Sequence, residues 1–560
     1  MQFTRRQKLD PFLQQTRMIT LGIPSFPDSR DDRESATDSD DVKQQSQSTS
    51  GRVLESALTT FASLALLGLS GYSYHKYYKW LVLHKIENSF TEGDPALLFH
   101  HNTYFLDTSS DRSNSEIRQY QFVVRDEQAE IDEIVHGNRS GSYYLIIGEK
   151  GNGKKGMLLN AMHKNYGLNT SIMEAHSDLE IFRLRLGKTL DYEFTEDFVG
   201  SLFSIKGQRD ATPILDIERA FNKLEKVAIK HKVQRGSDHK PLVMIFNNMH
   251  LIQDDKDGNA LLELLQQRAE SFASSGLMTF IFNSDEYWIY ERMKQNGRRM
   301  ELLPITDLPK AQALKAFADY RARLFGVFPT DEELESIWQK IGGRLSFLAK
   351  VARSSNMMAR ADAFLQQEKT WVLNQSALIP DFDDDVLEDG KWQGGTFMMA
   401  KALVEEELAN PEKWKDELVY IPLYRCRQIL TRADFMQRLD NLNIISVDTD
   451  SNVRADNRCM QQAFREIVAE EDFEDQLNNV LDRCSAVESL NRTRELIFKA
   501  IENPDGTPNE TGQGGIVKVQ YEKLPQSVRN TELNHIDADS DSDDNDDDDD
   551  PFHIVSQRED

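Results

Sequence analysis

Short runs of apolar residues punctuate an otherwise polar chain, and their spacing sets out the elements. Tyr144-Leu145-Ile146-Ile147 reads as a buried strand, and Pro241-Leu242-Val243-Met244-Ile245-Phe246 and Leu277-Met278-Thr279-Phe280-Ile281-Phe282 read as two more. Ile172-Met173-Glu174-Ala175 and a short run after Met300 add weaker strands. Between them the period changes. Met157, Leu158, Leu159, Ala161 and Met162, and further on Ile217, Ala220, Phe221, Leu224 and Val227, repeat at helical spacing. Helices are also predicted over Leu179 to Leu190 and Ala260 to Ser274, while Phe198 to Ile205 is apolar without a clear period. Strands alternating with helices point to a parallel sheet covered on both faces.

What joins the first strand to its helix changes the picture from fold to chemistry. Gly148, Glu149, Lys150, Gly151, Asn152, Gly153, Lys154, Lys155 and Gly156 form a glycine-rich turn between strand and helix. That is the context in which backbone N–H groups, a lysine and a helix N-terminus cradle phosphate. A tight strand-to-helix connection would have similar glycines. The position after the lysine normally carries a hydroxyl that binds Mg²⁺, and here it is Lys155, which cannot coordinate a cation. At the end of the Pro241 strand, where an acid should hold metal and activate water, stand Asn247 and Asn248. An amide carries no charge and is a poor base. A nucleotide is therefore the expected ligand, Mg²⁺ is in question, and no metal ligands are assigned. His250 and Asp254 stand nearby as substitutes, although turn and surface roles explain them equally well.

Past Pro304 the pattern becomes helical, with Ala313, Leu314, Phe317 and Ala318 followed by helices opening at Asp331 and after Gly342-Gly343-Arg344. Pro380 to Gly390 is acidic and marks a boundary. Then come a helix over Phe397 to Leu408, another near Leu423, a third from Arg432 to Leu442, two strands joined by Asp448 to Asn452, and a helix from Met460 to Val468. Helix, helix and a two-stranded wing make a winged helix. Its second helix balances Arg432 and Arg438 with Asp434 and Asp440, whereas a groove-reading helix needs surplus positive charge. A protein contact fits better than DNA. One more helix is expected from Glu488 to about Glu502, and then an unfolded tail.

Composition bears mainly on the ends. The chain has 560 residues, 39% hydrophobic and 28% charged, with a net charge of −27. Acid runs at Asp28 to Asp41 and Asp537 to Asp550 carry much of that excess and read as solvated and unfolded. An acidic chain lacks the electrostatic footprint of a general nucleic-acid binder. Its three cysteines, Cys426, Cys459 and Cys484, form no metal or disulfide pattern. The first residues, with Arg5, Arg6, Lys8 and Arg17, fit a mitochondrial transit peptide and equally a basic tail. Ser56 to Tyr74 is uncharged over about 19 residues, close to a membrane span. Tyr72, Tyr74, Tyr77, Tyr78 and Trp80 beside Lys76 and Lys79 resemble an interface anchor; the Ser, Thr and Gly content suits a buried or amphipathic helix instead. A single-pass membrane protein is expected, with the flanking charges placing the C-terminal part in cytosol or matrix, the latter at the mitochondrial inner membrane.

Taken together, GEKGNGK at Gly148 to Lys154, HSDLEIFRLRLGK at His176 to Lys188 and PLVMIFNNMHLI at Pro241 to Ile252 resemble fungal AAA-type P-loop proteins with a C-terminal winged helix, relatives of origin-recognition and STAND ATPases. The resemblance spans roughly Arg125 to Val468, and its Arg-Asp-Glu entry segment lies at Arg125 to Glu127. It implies ATP bound at Gly148 to Gly156, Asn283 at a strand tip as the γ-phosphate sensor, Arg344 reaching phosphate from the lid, and Arg299 as a finger toward a neighbouring copy in a homo-oligomer. Turn and helix-end roles account for Asn283 and Arg299 as well. Departures at Lys155, Asn247 and Asn248 put hydrolysis in doubt.

The expected architecture is an α/β P-loop NTPase (AAA-like) parallel-sheet domain with a helical lid, followed by an α+β winged-helix domain, with disordered termini and one N-terminal membrane helix. Its bounds are an unfolded segment at 1–52, a membrane helix at 53–80, a linker at 81–122, the nucleotide-binding domain at 123–308, the lid at 309–378, the winged helix at 391–490 and an acidic tail at 503–560. The function so implied is a membrane-anchored ATP-binding protein that hydrolyses weakly or not at all and couples nucleotide state to a protein partner through lid or winged helix. A nucleotide-free scaffold, or an ATPase with non-standard metal contacts, are the alternatives.

Overall fold

The structure, a computed structural model, describes residues 49–93, 123, 125–194, 212–236, 239–430, 432–492, 496–502, 516–523 and 527–533. Two units make up the chain, Met1–Ser70 and Gly71–Asp560. The segment 1–48, the proposed linker over 94–122 and the run Phe198 to Ile205 lie outside the described residues.

Five parallel strands, β1 (Tyr143–Ile147), β2 (Thr170–Glu174), β3 (Leu242–Asn247), β4 (Met278–Ser284) and β5 (Met300–Pro304), form a sheet of order β2-β3-β4-β1-β5. Because side chains alternate across a strand, β1 sends Tyr143, Leu145 and Ile147 into one core and Tyr144 and Ile146 into another. On the second face lie helices α2 (Gln128–Val135) and α3 (Lys154–Lys164). The first face is covered by α4 (Leu179–Thr189), α5 (Pro213–Arg235), α6 (Lys256–Ser275) and α7 (Tyr287–Lys294), packed on Phe246, Phe280 and Phe282. A sheet buried on both faces explains why its strands read as unbroken apolar runs.

The lid is four helices, α8 (Lys310–Phe325), α9 (Asp331–Ile341), α10 (Leu345–Ala352) and α11 (Met357–Gln375), around a separate core with Phe317, Trp338 and Phe364. Thr330 starts α9 with a capping box closed by Glu333. Next come α12 (Leu387–Ala409), β6 (Tyr420–Pro422), α13 (Leu423–Ile429), α14 (Ala433–Asn441), β7 (Ile445–Val447), β8 (Asn452–Ala455) and α15 (Arg458–Val468). The strands form an antiparallel sheet of order β6-β8-β7, the arrangement of a winged helix with β7 and β8 as the wing.

Several boundaries differ from the sequence reading. The N-terminal helix, α1 (Thr49–Asn88), ends against the sheet domain: Ile86 and, just past the helix, Phe90 are buried in the β1 core, beside Val82 and Leu83. Two such side chains contribute about 3–6 kcal/mol, so residues 82–90, expected to begin a linker, pack as part of the domain. Over Leu58 to Leu69 the helix shows its apolar side chains, Phe61, Leu64, Leu66 and Leu67 among them, to the outside. Among the described residues, however, no helix is long and apolar enough to cross a membrane; Ser, Thr, Gly and Tyr dilute the run. The acidic stretch before the winged helix already contains a turn of 3-10 helix at Asp384–Val386 and the start of α12, with Phe382 buried against Gly390. Finally, the last helix, α16, spans Phe473–Arg492. Where helix to Glu502 and an unfolded tail were expected, β9 (Leu496–Glu502), β10 (Ile516–Lys523) and β11 (Ser527–Leu533) form an antiparallel sheet. Alternation in Ile516-Val517-Lys518-Val519-Gln520-Tyr521 is the strand signal that the charged surroundings obscured.

Candidate phosphate loop and its closure

The glycine turn sits at the C-terminal end of β1, between β4 and β5. Its backbone needs glycine: Gly148 has φ +156°, and a Cβ there would stand 2.0 Å from the carbonyl oxygen of Ile305 on the continuation of β5. Gly153 is left-handed at φ 88° and begins α3 without a side-chain cap. The first N–H groups of that helix are thus free of side-chain acceptors, as an anion site requires. Arg125 holds the turn from behind. Its Nη1 donates to Asn152 O at 3.2 Å and its Nη2 to Thr306 O at 2.6 Å, while Asn152 Nδ2 donates to Glu149 Oε2 at 2.7 Å and to Ile305 O at 3.1 Å.

Lys154 is 4% exposed and folds back over the loop. Its Nζ donates to Gly148 O at 2.6 Å and to Glu149 O at 2.8 Å, and lies 2.8 Å from Asp285 Oδ1. Burial pushes its pKa below the ordinary lysine value against the pull of Asp285. Two of the ammonium's three donors therefore brace the loop, and the third faces a carboxylate. His250 adjoins this pair, its Nδ1 accepting from Asp285 N at 3.3 Å, and burial lowers its pKa. Asp254 is not part of the site: it accepts from Asn259 at 2.9 Å and Gln437 at 3.1 Å and pairs with Arg292.

Metal chemistry finds no matching donors. Lys155 points to β2, with Nζ 2.5 Å from Glu174 Oε1. Asn247 is fully buried, and its Oδ1 accepts from Asn283 Nδ2 at 2.5 Å, so the structure brings together the two amides near the ends of β3 and β4. Asn248 adopts the left-handed conformation, φ 57°, and begins the turn Met249–Leu251. An ammonium and two amides offer no anionic grip on a divalent ion, and these positions do not fit the Mg²⁺ that the fold family implies.

The loop is covered. Ser346 N donates to Gly151 O at 3.0 Å, and Leu345 Cδ2 lies 2.7 Å from where a Cβ of Gly153 would be. Arg344, 2% exposed, joins three parts of the chain. Nη1 donates to Lys150 O at 2.8 Å and to Asp456 Oδ2 at 3.0 Å, Nε donates to Asp307 Oδ1 at 2.7 Å, and Nη2 reaches Asp456 O. Burial opposes its charge, yet Asp307 and Asp456 hold its pKa above the ordinary arginine value. Arg344 is thus at the loop, as expected, but bound to backbone and carboxylates. The wing adds a second clasp: Arg454 pairs with Glu149 Oε1, to which Ser446 Oγ also donates at 3.3 Å.

Arg299 is elsewhere. Pairing of Tyr143 with Met300 puts it at the end of the sheet opposite the loop, where its Nη1 donates to Gly141 O at 3.3 Å. Within one chain it does not join the site. Sequence reasoning missed Glu174, Asp285, Asp307, Ser446, Arg454 and Asp456. Only Asp285, directly behind Asn283-Ser284 at a strand tip, carried a local signal.

The winged helix faces the same end of the sheet. From α14, Asp440 accepts from Tyr287 N at 3.0 Å and Gln437 donates to Asp254. Arg432 is paired with Glu388 and Asp434, and Arg438 lies 4.1 Å over the Trp392 ring.

Against known proteins, residues 373–488 match the model described as fungal AAA protein, C-terminal winged helix domain. Among solved structures, the chain is similar to the Walker-type ATPase of Pyrococcus abyssi, with 14% identity and a TM-score of 0.41 over 65% of this chain and 99% of that one. It is also similar to the ORC1 protein of Aeropyrum pernix in complex with DNA, with 13% identity and a TM-score of 0.30 over 64% and 95%. No curated protein sequence matches. Both structural likenesses are too weak to assign residues, and the reading of the loop stands on its own geometry. Residues 373–488 thus match the C-terminal winged helix domain of fungal AAA proteins, and they follow a parallel-sheet domain whose glycine turn they help to close.

Proposed function

We propose that this chain binds ATP at Gly148 to Gly156, hydrolyses it weakly or not at all, and uses nucleotide to release its winged helix toward a protein partner. The observation that carries this reading is Arg344, whose one guanidinium spans the phosphate loop, the lid and the wing. Nucleotide entering the loop must displace Leu345 and Ser346 and compete with Asp285 for Lys154, which loosens the same contacts that hold the wing. A latch of about 3 kcal/mol, the size of one or two charge-assisted hydrogen bonds, leaves about one molecule in a hundred open and lowers apparent affinity by that factor. Micromolar or weaker binding is the expected result. Amides in place of the acids at β3 favour slow turnover. The occupied face of α14 favours a protein partner over DNA. Attachment to a membrane through residues 56–74 belongs to this reading, supported by the outward apolar side chains between Leu58 and Leu69.

The test is ATP binding and turnover by the full chain, with hydrogen exchange read at residues 446–456. Binding that Lys154→Ala abolishes, accompanied by faster exchange in the wing, supports the reading. Brisk turnover stimulated by Mg²⁺ and lost in Lys154→Ala would overturn the weak-hydrolysis part. A second reading, a nucleotide-free scaffold, is favoured by the full set of partners Lys154 already has, and absence of ATP binding would establish it. Flotation with liposomes, lost on deleting residues 56–74, tests the membrane attachment.

A further inference from the structure

The misfit between this site and a divalent ion is itself ordered. Lys155 does not lie idle in solvent; it is one residue beyond the loop lysine, on the first turn of α3, and its ammonium rests on Glu174. Glu174 ends β2 directly opposite Asn247 in the β2–β3 register. Lys155, followed by Arg185, holds the Glu174 carboxyl below its ordinary value, partly offset by burial. The strand ends below the loop thus carry one acid on β2 and two amides on β3 and β4, and the acid is matched by one lysine. Where a metal-using site would place a divalent cation against an acid on β3, this chain places a monovalent cation against an acid on β2.

We propose that Lys155 is a built-in replacement for the metal, and that the site takes nucleoside triphosphate as the free anion, uncomplexed by Mg²⁺. This rests on nucleotide binding as proposed above. Both side chains of the Lys155–Glu174 pair are 46% exposed, and exposed ion pairs hold weakly. A lysine is a compact charge on a flexible stem with three rotatable donors. It can leave Glu174 and turn to phosphate oxygens at the start of its own helix, where the helix end already favours anions. Glu174 then acts as the acceptor that keeps Lys155 in place when no nucleotide is bound. Asn247 and Asn283 fit this arrangement because they add no further negative charge to that of Glu174 and Asp285.

The experiment is binding of ATP to the full chain by titration calorimetry, in EDTA and in excess Mg²⁺, for wild type, Lys155→Gln, Glu174→Gln and Lys154→Ala. Both substituted surface positions are half exposed, and circular dichroism checks that the variants fold. Wild type should bind in EDTA at least as tightly as in Mg²⁺. Lys155→Gln should lose about tenfold or more in EDTA, the order expected for removing one charged contact, and Glu174→Gln should bind a few-fold more tightly. Wild-type affinity that rises tenfold with Mg²⁺, or a Lys155→Gln variant that binds like wild type in EDTA while Lys154→Ala does not, overturns the role of Lys155 and leaves nucleotide binding intact. No binding by folded wild type in either buffer overturns both.

Discussion

Arg344 Nη1 and Asp456 Oδ2 stand 3.0 Å apart, each residue at least 95% buried, and they tie the residue that precedes the lid helix α10 to the one that follows β8 of the wing. Breaking a buried pair by removing one partner costs about 3–5 kcal/mol, because a charge is left without compensation. Asp307 remains beside Arg344, which puts Asp456→Ala at the lower end, about 3 kcal/mol. Urea denaturation followed by tryptophan fluorescence would register it, and a shift below about 0.5 kcal/mol would show that the pair is not formed.

Arg454→Ala acts on the closure from the other side. Removing its guanidinium leaves Glu149 buried with only Asn152 and Ser446 as partners, which raises the energy of the closed form alone. ATP affinity should therefore rise, by about tenfold for each 1.4 kcal/mol lost from the latch. Equal affinity in wild type and variant would mean that the wing does not oppose nucleotide.

Gly148→Ala tests the turn itself. The added methyl carbon would fall 2.0 Å from Ile305 O, a backbone atom that accepts from Asn152 Nδ2 in a residue whose own N–H donates to Ile147 O of β1. Nothing flexible is present to give way, so the variant should lose ATP binding and melt at least several degrees lower. Differential scanning fluorimetry with and without ATP separates the two effects.

Acidity at the winged-helix contact predicts a pH dependence. Glu286 is pushed up to about 7, mainly by burial and further by the charge of Asp285, with Trp288 and Lys150 opposing. Asp440, buried nearby, is raised well above its ordinary value, mainly by burial and further by the charge of Glu286. A carboxyl whose folded pKa exceeds its unfolded pKa stabilises the fold fully below the unfolded value and loses that contribution as pH rises through the folded one. For Glu286 the window runs from about 4.5 to about 7. Glu286→Gln should match wild type in thermal stability at pH 4.5 and exceed it above pH 7. Parallel curves across that range would refute the assignment.

The sheet was legible because each of its strands is a local apolar run, and the winged helix because its helices and hairpin follow one another within about 70 residues. Asn247 and Asn283 were each legible as polar residues closing an apolar strand, but their contact was not, because it depends on the pairing of β3 with β4. The closure was not legible. Glu149 and Arg454 are 305 positions apart, and nothing in the periodicity of either segment says that a loop glutamate will be met by an arginine of the wing. Arg344 shows the same limit from the other direction: Gly342-Gly343-Arg344 marks the position, but its carboxylate partners come from the end of β5 and from the wing. The span over Ser56 to Tyr74 was read from the absence of charge, whereas hydropathy depends also on the hydroxyls and glycines within it.

Helix α14, the element that a free winged helix would present to others, is already docked on its own P-loop domain through Asp440 and Gln437. An outside binder of that surface competes with an intramolecular rival present at high effective concentration. Response to such a binder would then be graded by two inputs at once, its abundance and the fraction of chains charged with nucleotide, so that neither alone suffices at low levels.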